Sequence, residues 1–249
     1  MKIAVVGATG SVGRHIVEVL KARGNKVVSM SRATGVDVVT GKGLAQGLAG
    51  VDVVIDAATS PTPDQKEATD FFTTAAGHLQ EASAKAGVKR IVVVSIIGID
   101  KFKAGYYAAK VAHEKAMLAG PVPVRIVRSG QFHELVERMI DWGRQGDVAY
   151  VPTMKAQLVA ARTVAETIAD VATQPAADGG IIEVAGPRAE DLLDAARRLS
   201  ARRHDGLRIE AASNPDDPDG ALYETGVTLP GPHARLGGPT FQAWLEATH

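Results

Sequence analysis

A tyrosine and a lysine stand four positions apart in this chain and could together transfer a proton. They are Tyr106 and Lys110 in the segment Gly-Tyr-Tyr-Ala-Ala-Lys, and on a helix they would share one face. An ammonium beside a phenol favours the phenolate, so Tyr106 would exchange protons more readily near neutral pH. Ser95 ends an apolar run and could hydrogen-bond a substrate oxygen. The structural alternatives are a chance surface pair and a backbone-capping role for Ser95.

Three glycines near the N-terminus indicate how a phosphate-bearing ligand would be held. Gly7, Gly10 and Gly13 separate the apolar run 2–6 from a helical pattern over 15–23. Strand, glycine turn and helix in this order form a dinucleotide clamp, with the N–H groups at the helix start facing the pyrophosphate. Gly7 would permit the tight turn, and Gly10 would let the backbone approach the pyrophosphate. Gly13 would let the helix pack closely on the strand. The spacing is G-x-x-G-x-x-G rather than G-x-G-x-x-G, and a ligand-free turn is the alternative. The predicted binding turn comprises Gly7, Thr9, Gly10, Ser11, Val12 and Gly13.

The end of the second predicted strand favours NADP(H) over NAD(H). In the NAD pattern, an acidic residue about 20 positions beyond the glycines binds the ribose 2′-hydroxyl, whereas a nearby arginine suits a 2′-phosphate. Here the strand 26–30 is followed by Ser31 and Arg32, with no carboxylate before Asp37. The guanidinium and the hydroxyl can both donate to a phosphate. NAD(H) stays possible, because Arg32 could instead be solvated at the strand end.

The first half of the chain alternates between apolar β-branched runs and helical patterns. The runs are continuous in Val and Ile rather than alternating, which indicates strands covered on both faces. We therefore predict an α/β Rossmann fold, a doubly wound parallel sheet with helices on both faces and ligands beyond the carboxyl ends of the strands. Five strands are predicted at 2–6, 26–30, 53–56, 90–94 and 124–128, with helices near 42–48, 64–86 and 105–118.

The regular alternation fades after residue 128. We predict one NAD(P)-binding domain over 1–249, in which a small substrate-side lobe is formed mainly by about 131–249. The residues after about 210 read as mostly irregular, with a loop at 214–219 and a short final helix at 241–247. The further predicted elements are helices at 134–144, 163–173 and 189–203 and strands at 148–151 and 181–184.

The composition favours a small-molecule partner. The 249 residues carry 28 Lys+Arg and 28 Asp+Glu, a formal net charge of zero, which gives no basic surplus for nucleic acid or an anionic membrane. There are no cysteines, so disulfides and thiolate chemistry are excluded and redox chemistry would need a cofactor. No targeting or membrane-spanning segment is evident. We expect a cytoplasmic monomer or homodimer that binds neither nucleic acid nor membrane.

Two further sequence patterns are weaker evidence of a functional site. His133 and Glu134 begin like the zinc motif H-E-x-x-H, but Glu137 replaces the second histidine, so no metal is expected. His133 is then an exposed helix residue or a wall of the substrate pocket. The arginines of the 189–203 helix are interpreted as a solvated face.

Taken together, these motifs resemble a known family. Gly-Ala-Thr-Gly-Ser-Val-Gly at 7–13, Asp-Ala-Ala-Thr at 56–59, Ser95, the Tyr106 to Lys110 spacing and Val-Arg-Ser-Gly-Gln-Phe at 127–132 look like an atypical short-chain dehydrogenase/reductase. The closer resemblance is to the NAD(P)H-binding branch of NmrA-like and isoflavone-reductase-like proteins, over about 1–185. It implies that Ala57, Ala58 and Thr59 pass under the cofactor, that Lys110 holds the nicotinamide ribose, and that Ser129, Gly130, Gln131 and Phe132 lie beside the nicotinamide ring.

The expected activity is hydride transfer between NAD(P)H and a small organic carbonyl, enone or quinone. Tyr106 would supply the proton and Lys110 would orient the cofactor and the tyrosine. Two alternatives remain open: a non-enzymatic NADP(H)-sensing regulator of the NmrA-like kind, and an epimerase or dehydratase that retains its NAD.

Overall fold

A seven-stranded parallel sheet forms the centre of the protein. The computed structural model describes residues 1–174, 180–212 and 218–248. Its strands are β1 (Lys2–Val6), β2 (Lys26–Met30), β3 (Val53–Asp56), β4 (Arg90–Ile96), β5 (Val124–Ser129), β6 (Arg144–Gln145), β7 (Val148–Pro152), β8 (Lys155–Ala156), β9 (Ile181–Ala185), β10 (Glu190–Asp191), β11 (Arg208–Ala212) and β12 (Arg235–Leu236). The central sheet has the order β12-β9-β5-β4-β3-β1-β2, with every neighbouring pair parallel. This is the predicted Rossmann sheet, and its strand order reverses at β1.

Helices cover both faces of this sheet. They are α1 (Gly13–Ala22), α2 (Leu44–Leu48), α3 (Gln65–Lys85), α4 (Gly105–Leu118), α5 (His133–Trp142), α6 (Ala161–Thr173), α7 (Leu192–Arg203) and α8 (Phe241–Thr248). One core layer lies between the sheet and α1 and α6, and a second lies between the sheet and α2, α3 and α4. Because β1 presents Ile3 and Val5 to the first layer and Ala4 and Val6 to the second, a continuous apolar run is what this strand requires.

A second, smaller core lies beside the sheet. It packs α5, α7 and α8 against the three-stranded sheet β11-β7-β6. Val136, Ile140, Leu199 and Phe241 are each fully buried there. The helix α6 and the strands β9 and β12 return to the central sheet instead, so the residues after 131 build both the lobe and one edge of the Rossmann sheet.

Most element boundaries agree with the sequence patterns, and the differences are local. β2, β3 and α4 have the predicted bounds, whereas α1 begins two residues earlier and β4 ends two residues later. The strand β11 was not predicted, because only Ile209 of its residues is buried and no apolar run marks it. The predicted loop 214–219 falls mostly on residues 213–217, which lie outside the described residues. Among the residues described, no helix is both long and apolar enough to cross a membrane.

Candidate nucleotide-binding and catalytic site

The packing of the glycine turn explains two of its three glycines. Gly7 has a φ of +73°, and a Cβ there would lie 2.5 Å from the carbonyl oxygen of Ala57. A Cβ on Gly13 would lie 2.0 Å from the carbonyl oxygen of Gly7, so only glycine lets α1 approach β1 this closely. At Gly10, by contrast, the nearest described atom would be the Gly7 oxygen at 3.2 Å. An added Cβ at Gly10 would therefore make one close contact with the backbone and meet no other described atom within 4 Å.

The start of α1 has the features of an anion site. The N-cap residue Val12 provides no side-chain hydrogen bond, and the first turn has no acidic residue. The first N–H groups of a helix have no partner within the helix and carry a partial positive charge. Thr9 is exposed and Ser11 is half-buried beside them. The turn and the helix start therefore fit a pyrophosphate.

The end of β2 places a hydroxyl and a guanidinium together. The Ser31 side-chain oxygen is buried and has no hydrogen-bond partner among the described residues, and Arg32 is exposed. The nearest carboxylate along the chain, Asp37, accepts hydrogen bonds from the N–H groups of Val39 and Thr40 at 2.8 Å and 3.4 Å. Asp37 is thus engaged in its own turn, while Ser31 and Arg32 keep donors for a ligand.

The end of β3 connects the glycine turn with the predicted catalytic helix. Ala57 donates its N–H to Val6 at 3.1 Å and lies against Gly7. The Thr59 hydroxyl lies 2.8 Å from the Tyr106 hydroxyl. The turn, the 57–59 segment and Tyr106 therefore meet at the carboxyl edge of the sheet, next to the strand where its order reverses. This crevice is where open α/β sheets bind their ligands.

Tyr106 and Lys110 share one face of α4, as their spacing predicts. Both contact the ring of Phe72 from α3: the Tyr106 ring centroid lies 5.8 Å from it, and the Lys110 ammonium lies 4.6 Å above it. Among the hydrogen bonds of the described residues, none joins the phenol to the ammonium. Lys110 instead donates to the Val94 carbonyl oxygen at 3.0 Å and contacts Nδ1 of His113 at 2.9 Å.

The protonation of this pair differs from the expectation. Burial raises the pKa of Tyr106, so the phenol is kept protonated and the expected shift toward phenolate is wrong. The reason is geometric, because the ammonium that would stabilise a phenolate bonds to Val94 and His113. Burial also lowers the pKa of Lys110 to about 8, against the opposing charges of Asp56 and Glu114. Tyr106 therefore carries its proton at neutral pH and can donate a hydrogen bond.

His113 and Asp56 belong to the same cluster, and the sequence analysis assigned neither of them a role. Nε2 of His113 lies 3.0 Å from Oδ2 of Asp56, whose Oδ1 accepts the N–H of Ala58 at 3.0 Å. Both side chains are almost fully buried. No motif marks either residue in the sequence, because Asp56 ends a strand and His113 lies within a helix, and their burial is seen only in the structure.

Ser95 and Ser129 lie on adjacent strands of the sheet. Ser95 is buried, and its hydroxyl has no partner among the described residues, so the backbone-capping alternative is not what the structure has. The Ser129 hydroxyl donates to the carbonyl oxygen of Ser95 at 3.4 Å. An unpartnered buried hydroxyl is costly unless a ligand or water satisfies it.

Residues 130–132 join the sheet to the lobe. Gly130 donates to Val184 at 2.9 Å, the Gln131 side-chain amide donates to the Tyr107 hydroxyl at 2.7 Å, and Phe132 forms a β-bridge with Val159. The prediction that Tyr107 is a packing residue is confirmed, since its ring lies 4.7 Å from that of Phe102 and 6.0 Å from that of Tyr223.

His133 lies in the core of the lobe. It is fully buried, and its ring meets Phe241 and Trp244 edge-on, each at 5.4 Å. Burial lowers its pKa to about 4. The expectation of an exposed helix residue was wrong, because α8 from the far end of the chain covers this position. Within the described residues, no three His, Asp or Glu side chains are placed to hold a metal ion.

The sequence analysis expected the arginines of α7 to form a solvated face, and two of the four form ion pairs instead. Arg198 forms ion pairs with Glu190 and Asp194, and Arg203 forms one with Glu137 of α5. These pairs attach α7 to its neighbours within the lobe.

Fold and site together define a pyridine-nucleotide-binding protein with a Rossmann fold. Residues 7–175 match the family model described as NAD(P)H-binding, and the chain belongs to this family. The expected NAD(P)H-binding family is thereby confirmed, whereas the NmrA-like branch and the NADP(H) preference stay predictions.

Known proteins of several kinds are similar to this chain. The photosystem II assembly factor Ycf39 of Synechocystis is 32% identical over 111 residues, which are 39% of this chain and only 34% of that protein. MoeE5, solved with UDP-glucose and NAD, is 18% identical with a TM-score of 0.73, covering 100% of this chain and 98% of its own. The Escherichia coli NADPH-dependent quinone oxidoreductase QOR2 is 17% identical with a TM-score of 0.65, covering 98% of both chains. These two structures share the fold.

Proposed function

We propose that this protein is an NADPH-dependent oxidoreductase acting on a small organic carbonyl, enone or quinone. The observation that carries the proposal is the position of Tyr106: its hydroxyl lies at the carboxyl edge of the sheet, 2.8 Å from Thr59, and burial keeps it protonated. A protonated phenol beside a dinucleotide crevice holds the proton that general acid catalysis at this position would require.

The described residues fit a pyridine dinucleotide. The glycine turn and the start of α1 would bind the pyrophosphate, and Ser31 and Arg32 would bind the 2′-phosphate. Ala57 and Ala58 would line the cofactor, and Lys110 would hold the nicotinamide ribose. Bound NADPH would supply the hydride. The residues from 129 to 132 follow β5 at the same edge of the sheet, which supports their place beside the nicotinamide.

The proton is the contribution of the chain itself. The Tyr106 hydroxyl would donate it to the substrate, with Thr59 fixing the orientation of the phenol through their hydrogen bond. The Ser95 hydroxyl, which is buried and unpartnered among the described residues, would bind the substrate oxygen. The lobe built on α5, α7 and α8 would supply the wall of the substrate pocket. Gln131, just before α5, donates a hydrogen bond to Tyr107, the neighbour of Tyr106, so the lobe begins close to the phenol.

A second candidate function is a nucleotide-dependent binding protein without turnover. The observation that favours it is the Synechocystis relative, whose name is that of an assembly factor. Such a protein would bind NADPH with the same residues but would need no proton donor.

Turnover with and without the phenol separates the two functions. The purified protein is mixed with NADPH and a panel of quinones, enones and carbonyls, and NADPH oxidation is followed by absorbance. Tyr106→Phe should keep its NADPH affinity and lose turnover by at least about a hundredfold. The matched control Tyr107→Phe removes a neighbouring hydroxyl that bonds Gln131 and should change turnover only a few-fold. A fully active Tyr106→Phe enzyme would remove the proton-donor role, and NADPH binding without any turnover in the wild type would favour the second candidate.

A further inference from the structure

A row of three buried polar side chains runs from the catalytic helix to the end of β3. The Lys110 ammonium lies 2.9 Å from Nδ1 of His113, and Nε2 of His113 lies 3.0 Å from Oδ2 of Asp56. The exposed fractions of the three residues are 4%, 1% and 2%. Buried charges persist only when they are paired and hydrogen-bonded, and here each of the three supplies a partner for the next.

The chemistry of Lys110 selects one tautomer of the histidine. An ammonium has three N–H donors and no acceptor, so Nδ1 of His113 must accept. Nε2 then carries the hydrogen and donates to Asp56. Burial, together with the charge of Lys110, lowers the pKa of His113, so the ring stays neutral. Burial opposes the charge on Asp56, but the hydrogen bond from His113 offsets this, and the pKa of Asp56 is lowered overall.

The surroundings leave His113 few other partners. Its ring stacks on Phe72 with centroids 4.7 Å apart and planes 24° apart. The nearest other acid on its own helix, Glu114, accepts two hydrogen bonds from Arg128 at 3.0 Å and 2.7 Å. The ring is therefore held in place by stacking, and among the described residues its two nitrogens bond to Lys110 and Asp56 alone.

We propose that His113, held in one tautomer by Asp56, is a positioning residue that fixes the Lys110 ammonium for binding the cofactor. The inference rests on the proposed function, in which Lys110 holds the nicotinamide ribose. Val94 and His113 take two of the three ammonium N–H groups, and the third stays available for a ribose hydroxyl. Asp56 also binds the N–H of Ala58, so the same carboxylate positions Lys110 and the 57–59 segment.

The substitution Asp56→Asn would reverse the tautomer. The Ala58 N–H needs an acceptor, so the Asn carbonyl oxygen would remain on that side and its NH₂ group would face Nε2 of His113. Nε2 would then have to accept, and Nδ1–H would point at the ammonium, donor against donor. Lys110 would lose this hydrogen bond and move or deprotonate.

Two readouts test the proposal. Long-range ¹H–¹⁵N NMR of protein labelled in histidine should show neutral His113 with its hydrogen on Nε2 in the wild type and on Nδ1 in Asp56→Asn, with His113→Leu used to assign the signals. Calorimetric titration with NADPH should show affinity reduced about ten- to hundredfold in Asp56→Asn, the value of one charge-assisted hydrogen bond. The matched control Asp52→Asn, just before the opposite end of β3, should bind NADPH as the wild type does.

A second pair of variants separates positioning from packing. His113→Asn keeps an acceptor near the position of Nδ1, whereas His113→Leu keeps only bulk, so the His113→Asn protein should bind NADPH several-fold more tightly than the His113→Leu protein. Equal affinities of these two variants, or a wild-type His113 with its hydrogen on Nδ1, would overturn the proposal. A wild-type protein that does not bind NADPH would instead overturn the proposed function. The failure of the positioning role and the failure of the proposed function are thus distinguishable.

Discussion

Gly13→Ala tests whether the close approach of α1 to β1 is what the glycine provides. An added Cβ would lie 2.0 Å from the Gly7 carbonyl oxygen and 2.8 Å from its carbonyl carbon. These are backbone atoms of a turn that is itself packed against Ala57, so no flexible side chain can move aside. The helix start must shift by about 1 Å, and overpacking of this kind costs about 1–3 kcal/mol. We expect a loss of about 2 kcal/mol in the free energy of unfolding, together with weaker NADPH binding.

The measurement is urea unfolding at matched protein concentration, followed by calorimetric titration with NADPH. Gly77→Ala is the matched control, because Gly77 lies within α3, is exposed, and has no described atom within 4 Å of an added Cβ. The same substitution should raise stability there by about 0.5–1 kcal/mol, since alanine is the better helix former. A Gly13→Ala protein with the stability and the NADPH affinity of the wild type would refute the reasoning.

Two further predictions concern the lobe and its contact with the start of α4. The Asp219 carboxylate accepts the N–H groups of Lys103 and Ala104, each at 2.7 Å, just before α4. Asp219→Ala should therefore lower the free energy of unfolding, measured in urea, by about 2 kcal/mol. Amide hydrogen exchange at the start of α4 should become faster, and unchanged exchange would contradict this prediction. Burial lowers the pKa of His133 to about 4, so folding favours the neutral ring. The free energy of unfolding should therefore be greatest above about pH 6.5 and fall by up to about 3 kcal/mol as the pH falls toward 4. In His133→Leu the urea midpoint should fall less over that pH range, and an equal fall in both proteins would show that other groups cause it.

The sequence predicted those parts of the site that depend on local spacing. The glycine turn and the Tyr106 to Lys110 pair each lie within seven residues, and helix and strand periodicity place them without knowledge of the rest of the fold. The carboxyl edge of a parallel sheet then brings Thr59 close to Tyr106 in the folded chain.

The parts of the site that the sequence did not predict depend on contacts between distant segments of the chain. His113 and Asp56 are 57 positions apart, and neither residue has a signal of its own in a helix or a strand. Phe72, which contacts both Lys110 and His113, reads in the sequence as an ordinary core aromatic. The direction of the Tyr106 pKa was wrong for the same reason, because only the folded structure shows that Val94 and His113 bind the ammonium.

The central claim, that this chain binds NADPH through its glycine turn and the end of β2, is tested most directly by calorimetric titration with NADPH and with NADH. Wild type and Arg32→Ala are compared, because the Arg32 side chain is exposed and forms no hydrogen bond or ion pair with another described residue. We predict that the wild type binds NADPH more tightly than NADH and that Arg32→Ala loses this preference while still binding both. Binding of neither nucleotide by the wild type would contradict the account.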